Sequence, residues 1–395
     1  MDFEDVVARE AKHFLPVARR LPLALVSGRG SRVRDVAGRE YVDLTAGWGV
    51  NAIGHCHPAL TQAITEQAGR LIQTTNFVYS LPQLDLVETL ARITPAELTR
   101  SFLVSSGTEA MDGALKLAHR ATGRTKYVST QGSFHGRSLG ALSVIGQAHH
   151  RAPYEALLHP GNVTVPFNDA DAAVAAIDAE TAAFLVEPVQ GEGGVNPVAP
   201  GYLAAVQAAC RAHGALLILD EIQTGIGRTG RMFALEHDGV VPDVLTIGKM
   251  LGGGLPIAGF LCSEAVAAKV QFGDHGGTYA GNLLTCAAAN AVIGVVEAEG
   301  LVARADRLGG ELLARLADFA AAHEDRCERA RGRGLLAGLV LREPERASAV
   351  QRAALDAGVV LNVAGGRVLR FFPALNIPEE ELWPALETIL GLVAA

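Results

Sequence analysis

Seven short runs of β-forming residues constrain this chain more than any other feature. They are RSFLV (100–104), KYVST (126–130), NVTV (162–165), AFLVE (183–187), ALLILD (215–220), DVLTI (243–247) and GFLC (259–262). Several are apolar throughout rather than alternating, as strands covered on both faces should be. Helical stretches separate them, among them Thr108 to Arg120, opened by SSGTEA, and Pro200 to His213, opened by APGYL. The alternation predicts an α/β fold with one large, mostly parallel, seven-stranded sheet. Before residue 45 the chain reads as short hairpin pieces (RVRDVAGREYVDL), and after about 295 as an Ala/Leu/Arg-rich helix followed by GLLAGLVL, GVVLNV and RVLRFF strands. The expected division is an N-terminal segment 1–45, a large α/β domain 46–295 and a C-terminal α+β region 296–395, the two flanking pieces forming one small domain.

Composition supports a large core and removes several function classes. About half of the 395 residues are apolar and 19% are charged. The 34 Lys+Arg against 42 Asp+Glu leave a net charge of −8 with no basic run, so nucleic acid is not an expected partner. Five scattered cysteines, Cys56, Cys210, Cys262, Cys286 and Cys327, show no CxxC spacing. That argues against a disulfide framework or a zinc site, and for a reducing, cytoplasmic setting with no metal. The first twenty residues lack an apolar stretch of signal length and no window approaches 18 apolar residues, so no membrane span is expected.

Ligands of open α/β sheets collect at the carboxyl ends of the strands. After RSFLV comes SSGTEA, a small-residue turn entering a helix, which aims free N–H groups at an anion or is simply a Ser/Thr cap. ALLILD ends in Asp220, a carboxylate costly to bury alone, although most strand-end acids merely cap a loop. DVLTI delivers Lys249 just before three glycines. A phosphate-binding P-loop needs a glycine five residues before the GK pair and Ser or Thr after it, where this chain has Asp243 and Met250. A lysine at a desolvated strand end instead has a lowered pKa and can form a Schiff base with a carbonyl; the plainer alternative is a solvated strand-exit lysine. Pyridoxal phosphate requires a phosphate cup, an aromatic ring to stack on it, a carboxylate for its pyridine nitrogen and a lysine for its aldehyde. SSGT, Phe134, Asp220 and Lys249 supply those four in order.

At that point the chain resembles the fold-type I pyridoxal-phosphate enzymes of the class III, or omega, aminotransferases, acetylornithine/ornithine branch. The likeness runs from GREYVDLTAGWGVNAIGHCHP through FHGRS, EPVQGEGGV, LILDEIQTGIGRTG, TIGKMLGGGLPIAG and GGTYAGN to VLRFFPALNI. It implies that Ser106, Gly107 and Thr108 cradle the cofactor phosphate, that Phe134 stacks on the ring, that Asp220 pairs with the pyridinium nitrogen and that Gln223 reaches the phenolic oxygen. Lys249 would be the catalytic amine, anchoring the cofactor and moving the substrate proton as acid and base. Thr278 would bind the phosphate in the partner subunit's site, which implies a homodimer with shared active sites. Core packing for Phe134 and a turn hydroxyl for Thr278 are the plainer alternatives.

Two substrates must share that site. A donor reacting through a terminal amine carries no carboxylate at the reacting carbon, whereas glutamate and 2-oxoglutarate do. The resemblance implies that Arg370 receives that carboxylate and that Glu192 neutralises Arg370 when it is absent. Arg137 would take the donor's own carboxylate and the distal carboxylate of 2-oxoglutarate, guanidinium forks suiting both tasks. Trp48, Asn76 and Tyr79 would line the entrance, Trp48 where a smaller aliphatic is common. Leu283 and Met111 stand where the family favours proline and asparagine. Expected donors are N-acetylornithine, or else ornithine, GABA or a carrier-linked lysine. A related racemase, aminomutase or decarboxylase would keep Lys249 and Asp220 without needing the Glu192 and Arg370 pair.

Overall fold

The computed structural model describes residues 2–395. Its centre is a seven-stranded sheet formed by β1 (Arg100–Val104), β2 (Lys126–Thr130), β3 (Asn162–Val165), β4 (Thr181–Val186), β5 (Leu216–Asp220), β6 (Val244–Ile247) and β7 (Ala258–Cys262), in the order β1-β7-β6-β5-β4-β2-β3. The pairs β3–β2, β2–β4, β4–β5 and β5–β6 are parallel, and β7 alone runs against its neighbours β6 and β1. Every residue of β4, β6 and β7 is buried, which explains why these strands carry continuous apolar runs.

The helix after β1 starts one residue earlier than its periodicity predicts. It covers Gly107–Thr122 (α1), with Ser106 as its cap accepting from the Glu109 N–H, and ends on Gly123 in the left-handed region. The stretch opened by APGYL becomes Tyr202–His213 (α2), preceded by Gly201 at φ 81. Leu283 opens a helix at Leu283–Ala298 (α3), where Asn282 caps the Thr285 N–H. Proline suits that first helical position because its missing donor costs nothing there. Leu283 is 1% exposed and trades that preorganisation for burial. Met111 is wholly buried on α1 and packs with Phe260 and Ala114.

The segment GVVLNV does not form one strand. Val359–Val360 pairs in parallel with Glu40–Asp43 of the N-terminal sheet, whereas Asn362–Ala364 joins Val368–Phe371 in a second four-stranded sheet with Leu336–Leu341 and Cys327–Arg333. Leu361 lies between the two, 1% exposed, where the chain changes sheets. One C-terminal segment thereby stitches the N-terminal strands to the end of the chain. No single helix among the described residues is long and apolar enough to cross a membrane, and no cluster of three metal-ligating side chains occurs among them.

Candidate active site

Adjacent parallel strands bring their carboxyl ends together, and these ends carry the charges. Asp220 closes β5 and is 4% exposed. Its Oδ1 accepts from the Ile222 N–H (3.1 Å) and the Thr246 hydroxyl (3.0 Å), and its Oδ2 lies 2.7 Å from His135 Nδ1. His135 is itself buried, with no partner at Nε2. Three donors fix the carboxylate in place, so it can face a cation without moving.

Lys249 follows β6 through Gly248 and adopts φ 42, a left-handed conformation that costs a non-glycine residue on the order of 1 kcal/mol. Lys249 is half-buried, and its amine makes no hydrogen bond within the chain. Burial pushes its pKa below the ordinary lysine value, and the nearby Glu192 and Asp220 charges offset only part of that. An amine shifted in that direction gives up its proton more readily than an ordinary lysine, as attack on a carbonyl requires.

The turn Val189–Gln190 to Asn196–Pro197 is a two-stranded hairpin whose tip holds Glu192. Gly191 permits it: a Cβ there would sit 1.4 Å from Gln223 Oε1. Glu192 Oε1 accepts from Arg370 Nη1 at 2.7 Å and from Gln223 Nε2 at 3.3 Å. Arg370, on Val368–Phe371, is fully buried, and its Nε and Nη2 have no partner. Burial raises the Glu192 pKa, but Arg370 and Lys249 outweigh it and hold the carboxyl below its ordinary value. Neighbouring Glu187, just past β4, shifts the other way: burial and then the Asp220 charge push it well above the carboxylate range.

Ser106 and Thr108 do not offer free hydroxyls. Ser106 Oγ is tied to Glu109, and Thr108 Oγ1 accepts from the Arg137 and Ser138 N–H groups at 3.2 and 3.0 Å. The Gly107 and Thr108 amides at the start of α1 have no acceptor within the chain, which leaves two N–H donors at the positive end of a 16-residue helix. Gly136, at φ 132, lets the FHGR turn close on this corner, since a Cβ there would come within 2.3 Å of Thr108 Oγ1. Arg137 is exposed, with its guanidinium 5.8 Å from the Phe134 ring centroid and Nη2 3.1 Å from His150 Nε2.

The structure thus gathers Lys249, Asp220, Gln223, Glu192 and Arg370 into one buried cluster, with Phe134 beside it and the 106–108 turn nearby. Trp48, Asn76, Tyr79 and Thr278 make no hydrogen bond to that cluster, although the Ala46–Gly49 turn that carries Trp48 packs against the Lys249–Gly252 turn. Trp48 is 52% exposed at φ 63, Asn76 accepts only from Gln83, Tyr79 is fully exposed, and Thr278 is exposed with its carbonyl bonded to Gln73. His135, Glu187, His150 and Arg228 join the site or its support without having been expected from the sequence. Of these, His135, Glu187 and Arg228 lie within the motifs FHGRS, EPVQGEGGV and LILDEIQTGIGRTG, whereas His150 lies in none. Arg228 is fully buried, donates to the carbonyls of Leu335 and Pro373, and stacks 4.6 Å from the Phe372 ring, which Arg370 approaches from 5.4 Å. A separate groove of about 1460 Å³ lies along α1 and β7, lined by Phe102, Lys116, Tyr127 and His275; none of the clustered residues lines it, so volume does not locate the chemistry here.

Two free helix-start amides, a three-donor-held carboxylate and a half-buried unpaired amine fit pyridoxal phosphate, whose phosphate, ring nitrogen and aldehyde call for those groups. Fold and site together define a pyridoxal-phosphate-dependent transaminase. The chain belongs to the aminotransferase class-III family, whose sequence pattern matches residues 15–393. It is 44% identical over 384 residues to the acetylornithine aminotransferase of Methanopyrus kandleri, covering 97% of each chain. It is 46% identical over 377 residues to that of Mycolicibacterium smegmatis, covering 94% of this chain and 95% of the relative. Among solved structures, the ornithine aminotransferase of Toxoplasma gondii superposes with a TM-score of 0.95 at 32% identity, covering 100% of this chain and 94% of the other. The acetylornithine aminotransferase of Elizabethkingia anophelis gives 0.88 at 30%, covering 100% and 99%.

Proposed function

We propose that this enzyme transfers the terminal amino group of N-acetylornithine, or a close ω-amino relative, to 2-oxoglutarate, giving the semialdehyde and glutamate. The observation that carries the reading is the 2.7 Å pair between Glu192 and the fully buried Arg370. An enzyme acting only on α-amino acids has no use for a carboxylate that masks its arginine; one alternating between ω-amines and a 2-oxo acid does. The names of the relatives favour acetylornithine as donor.

The cofactor, when bound, supplies the electron sink that lets the substrate's C–H bond ionise. In this proposal the Gly107 and Thr108 amides, with the Ser106 turn, hold its phosphate, Phe134 flanks its ring, Asp220 keeps its ring nitrogen protonated and Gln223 meets its phenolic oxygen. Lys249 Nζ would take the proton from the reacting substrate carbon and hand it to the carbon that was the cofactor's aldehyde carbon. Glu192 covers Arg370 while the ω-amine reacts, then leaves it to the carboxylate of the 2-oxo acid. Arg137 holds the far carboxylate in both cases, and Trp48, Asn76 and Tyr79 shape the entrance.

The same proposal has the protein working in the cytoplasm as a homodimer in which Thr278 reaches the neighbouring site. Its support is an exposed apolar band of Leu71, Ile72, Phe77, Val78, Tyr79 and Tyr279, joined to the Thr278 loop through Gln73. Residues 1–45 and 296–395 would act as one small domain beside 46–295, a division supported by the pairing of Val359–Val360 with Glu40–Asp43. The test is a donor panel: acetylornithine, ornithine, GABA and lysine, each with 2-oxoglutarate, glutamate being measured. Acetylornithine should give the highest kcat/KM; inert acetylornithine beside an active alternative would overturn the donor assignment.

A further inference from the structure

His150 lies on none of the strand ends, yet it completes the mouth of the site. The loop that carries it is pinned by Gln147, whose side-chain amide donates to the Gly132 carbonyl at 3.2 Å, and by the Gly146 N–H on the Ser133 hydroxyl at 2.9 Å. Its ring meets the Phe134 ring edge-on at 6.0 Å and lies 3.9 Å from the His149 ring. Its Nε2 stands 3.1 Å from Arg137 Nη2. A guanidinium is always charged and only donates, so that contact requires a neutral imidazole with its proton on Nδ1.

We propose that His150 is a specificity-determining residue that holds Arg137 in place of a substrate carboxylate and, on protonation, joins Arg137 as a second cation on that carboxylate. The inference rests on the reading of Arg137 as the distal carboxylate site. The groups facing His150 are Arg137, His149 and, across the mouth, Glu192. Burial, then Arg137, then His149 push its pKa below the ordinary histidine value, while Glu192 works weakly the other way. A bound carboxylate reverses the balance, because it screens Arg137 and offers imidazolium an acceptor. Ligand binding and protonation of His150 are therefore coupled, and each strengthens the other.

The sign follows from that coupling. With the free imidazole titrating below its ordinary value and the ligand-bound one above the free one, affinity for a dicarboxylate rises as pH falls between the two. The gain should reach about fivefold, the upper scale of one partly exposed ion pair. Cofactor-loaded enzyme is titrated with glutarate, which carries both carboxylates but no reactive carbonyl, by calorimetry in buffers of different ionisation enthalpy between roughly pH 5.5 and 7.5, around the ordinary histidine value. The wild type should take up protons on binding, and H150Q, whose amide oxygen reaches the Nε2 position and keeps a neutral acceptor for Arg137, should take up fewer protons. The KM for 2-oxoglutarate should fall as pH falls in the wild type and stay flat in H150Q, with kcat less affected.

R137A separates the two levels. If R137A leaves glutarate affinity unchanged, the Arg137 reading fails and this inference falls with it. If R137A weakens binding but H150Q keeps the wild-type proton uptake and pH slope, the inference about His150 alone is overturned.

Discussion

Removing the Glu192 carboxylate isolates the switch on which the donor assignment depends. Arg370 is 1% exposed along its side chain, and Glu192 is its only anionic partner, at 2.7 Å; Gln223 Oε1, at 3.3 Å, is neutral. A charge-assisted bond of that length contributes about 1.5–3 kcal/mol, and leaving a buried charge unpaired costs more where water cannot reach it. Glu192 itself is 26% exposed, so water entering its place softens the loss to about 2–3 kcal/mol. In Glu192→Ala that free energy is no longer spent on the internal pair and becomes available to any carboxylate that reaches Arg370. The ratio of kcat/KM for glutamate to that for the ω-amino donor should therefore rise by about 30- to 140-fold, at roughly 1.4 kcal/mol per factor of ten. Each half-reaction is followed separately by single-turnover absorbance of the cofactor-loaded enzyme, with circular dichroism and a thermal melt to verify folding. Glu192→Gln keeps the shape and one acceptor and should show a smaller rise. A ratio unchanged within threefold in a folded Glu192→Ala enzyme would refute the switch.

Two further outcomes follow from buried groups. Lys249→Met should abolish transamination and the visible absorbance that borohydride removes in the wild type, yet stabilise the cofactor-free protein at neutral pH by about 1 kcal/mol, because catalytic groups are held against stability. The sign is set by burial: the folded lysine binds its proton less tightly than the unfolded one, so wild-type stability rises with pH towards 10.5 and the advantage of the variant, read from urea midpoints, shrinks. Glu221 accepts from the Ala234 and Leu235 N–H groups at 2.6 and 2.7 Å and from the Thr224 hydroxyl at 3.0 Å, yet burial pushes its pKa up to about 7. Its carboxyl thus weakens the fold progressively from its ordinary 4.5 to about 7. Glu221→Ala should lose about 3 kcal/mol through three stranded donors, and Glu221→Gln should flatten that part of the pH profile of unfolding.

The central sheet was legible because strands covered on both faces need continuous apolar residues, and each of the seven runs overlaps a strand within about two residues. GVVLNV was read as one strand because local pattern does not reveal a change of sheet: Leu361, where it happens, is as apolar as its neighbours. Lys249, Asp220, Glu192 and Arg370 could be picked out because each occupies a motif with little freedom around it. Their supports could not, since His135 meets Asp220 across 85 positions and Arg228 meets Pro373 across 145. The entrance residues stay exposed in a single chain, and no periodicity in one chain describes a surface that a second copy would cover.

What the sequence could least convey is how the cluster tolerates so many charges. Arg370 and Glu192 offset one another, and Asp220 is met by three donors, but Lys249 and Glu187 have no comparable compensation. Burial shifts both in the direction that disfavours their charged forms, the amine downward and the carboxyl upward. Phe372 extends the same logic to the back of the site. Its ring offers a π face to two buried guanidiniums, at 4.6 Å for Arg228 and 5.4 Å for Arg370, where a carboxylate would neutralise Arg370 permanently. An aromatic partner is strong enough to hold the guanidinium in the interior and too weak to compete with a substrate carboxylate. That is the balance a site needs when the same arginine must be masked in one half of the reaction and exposed in the other.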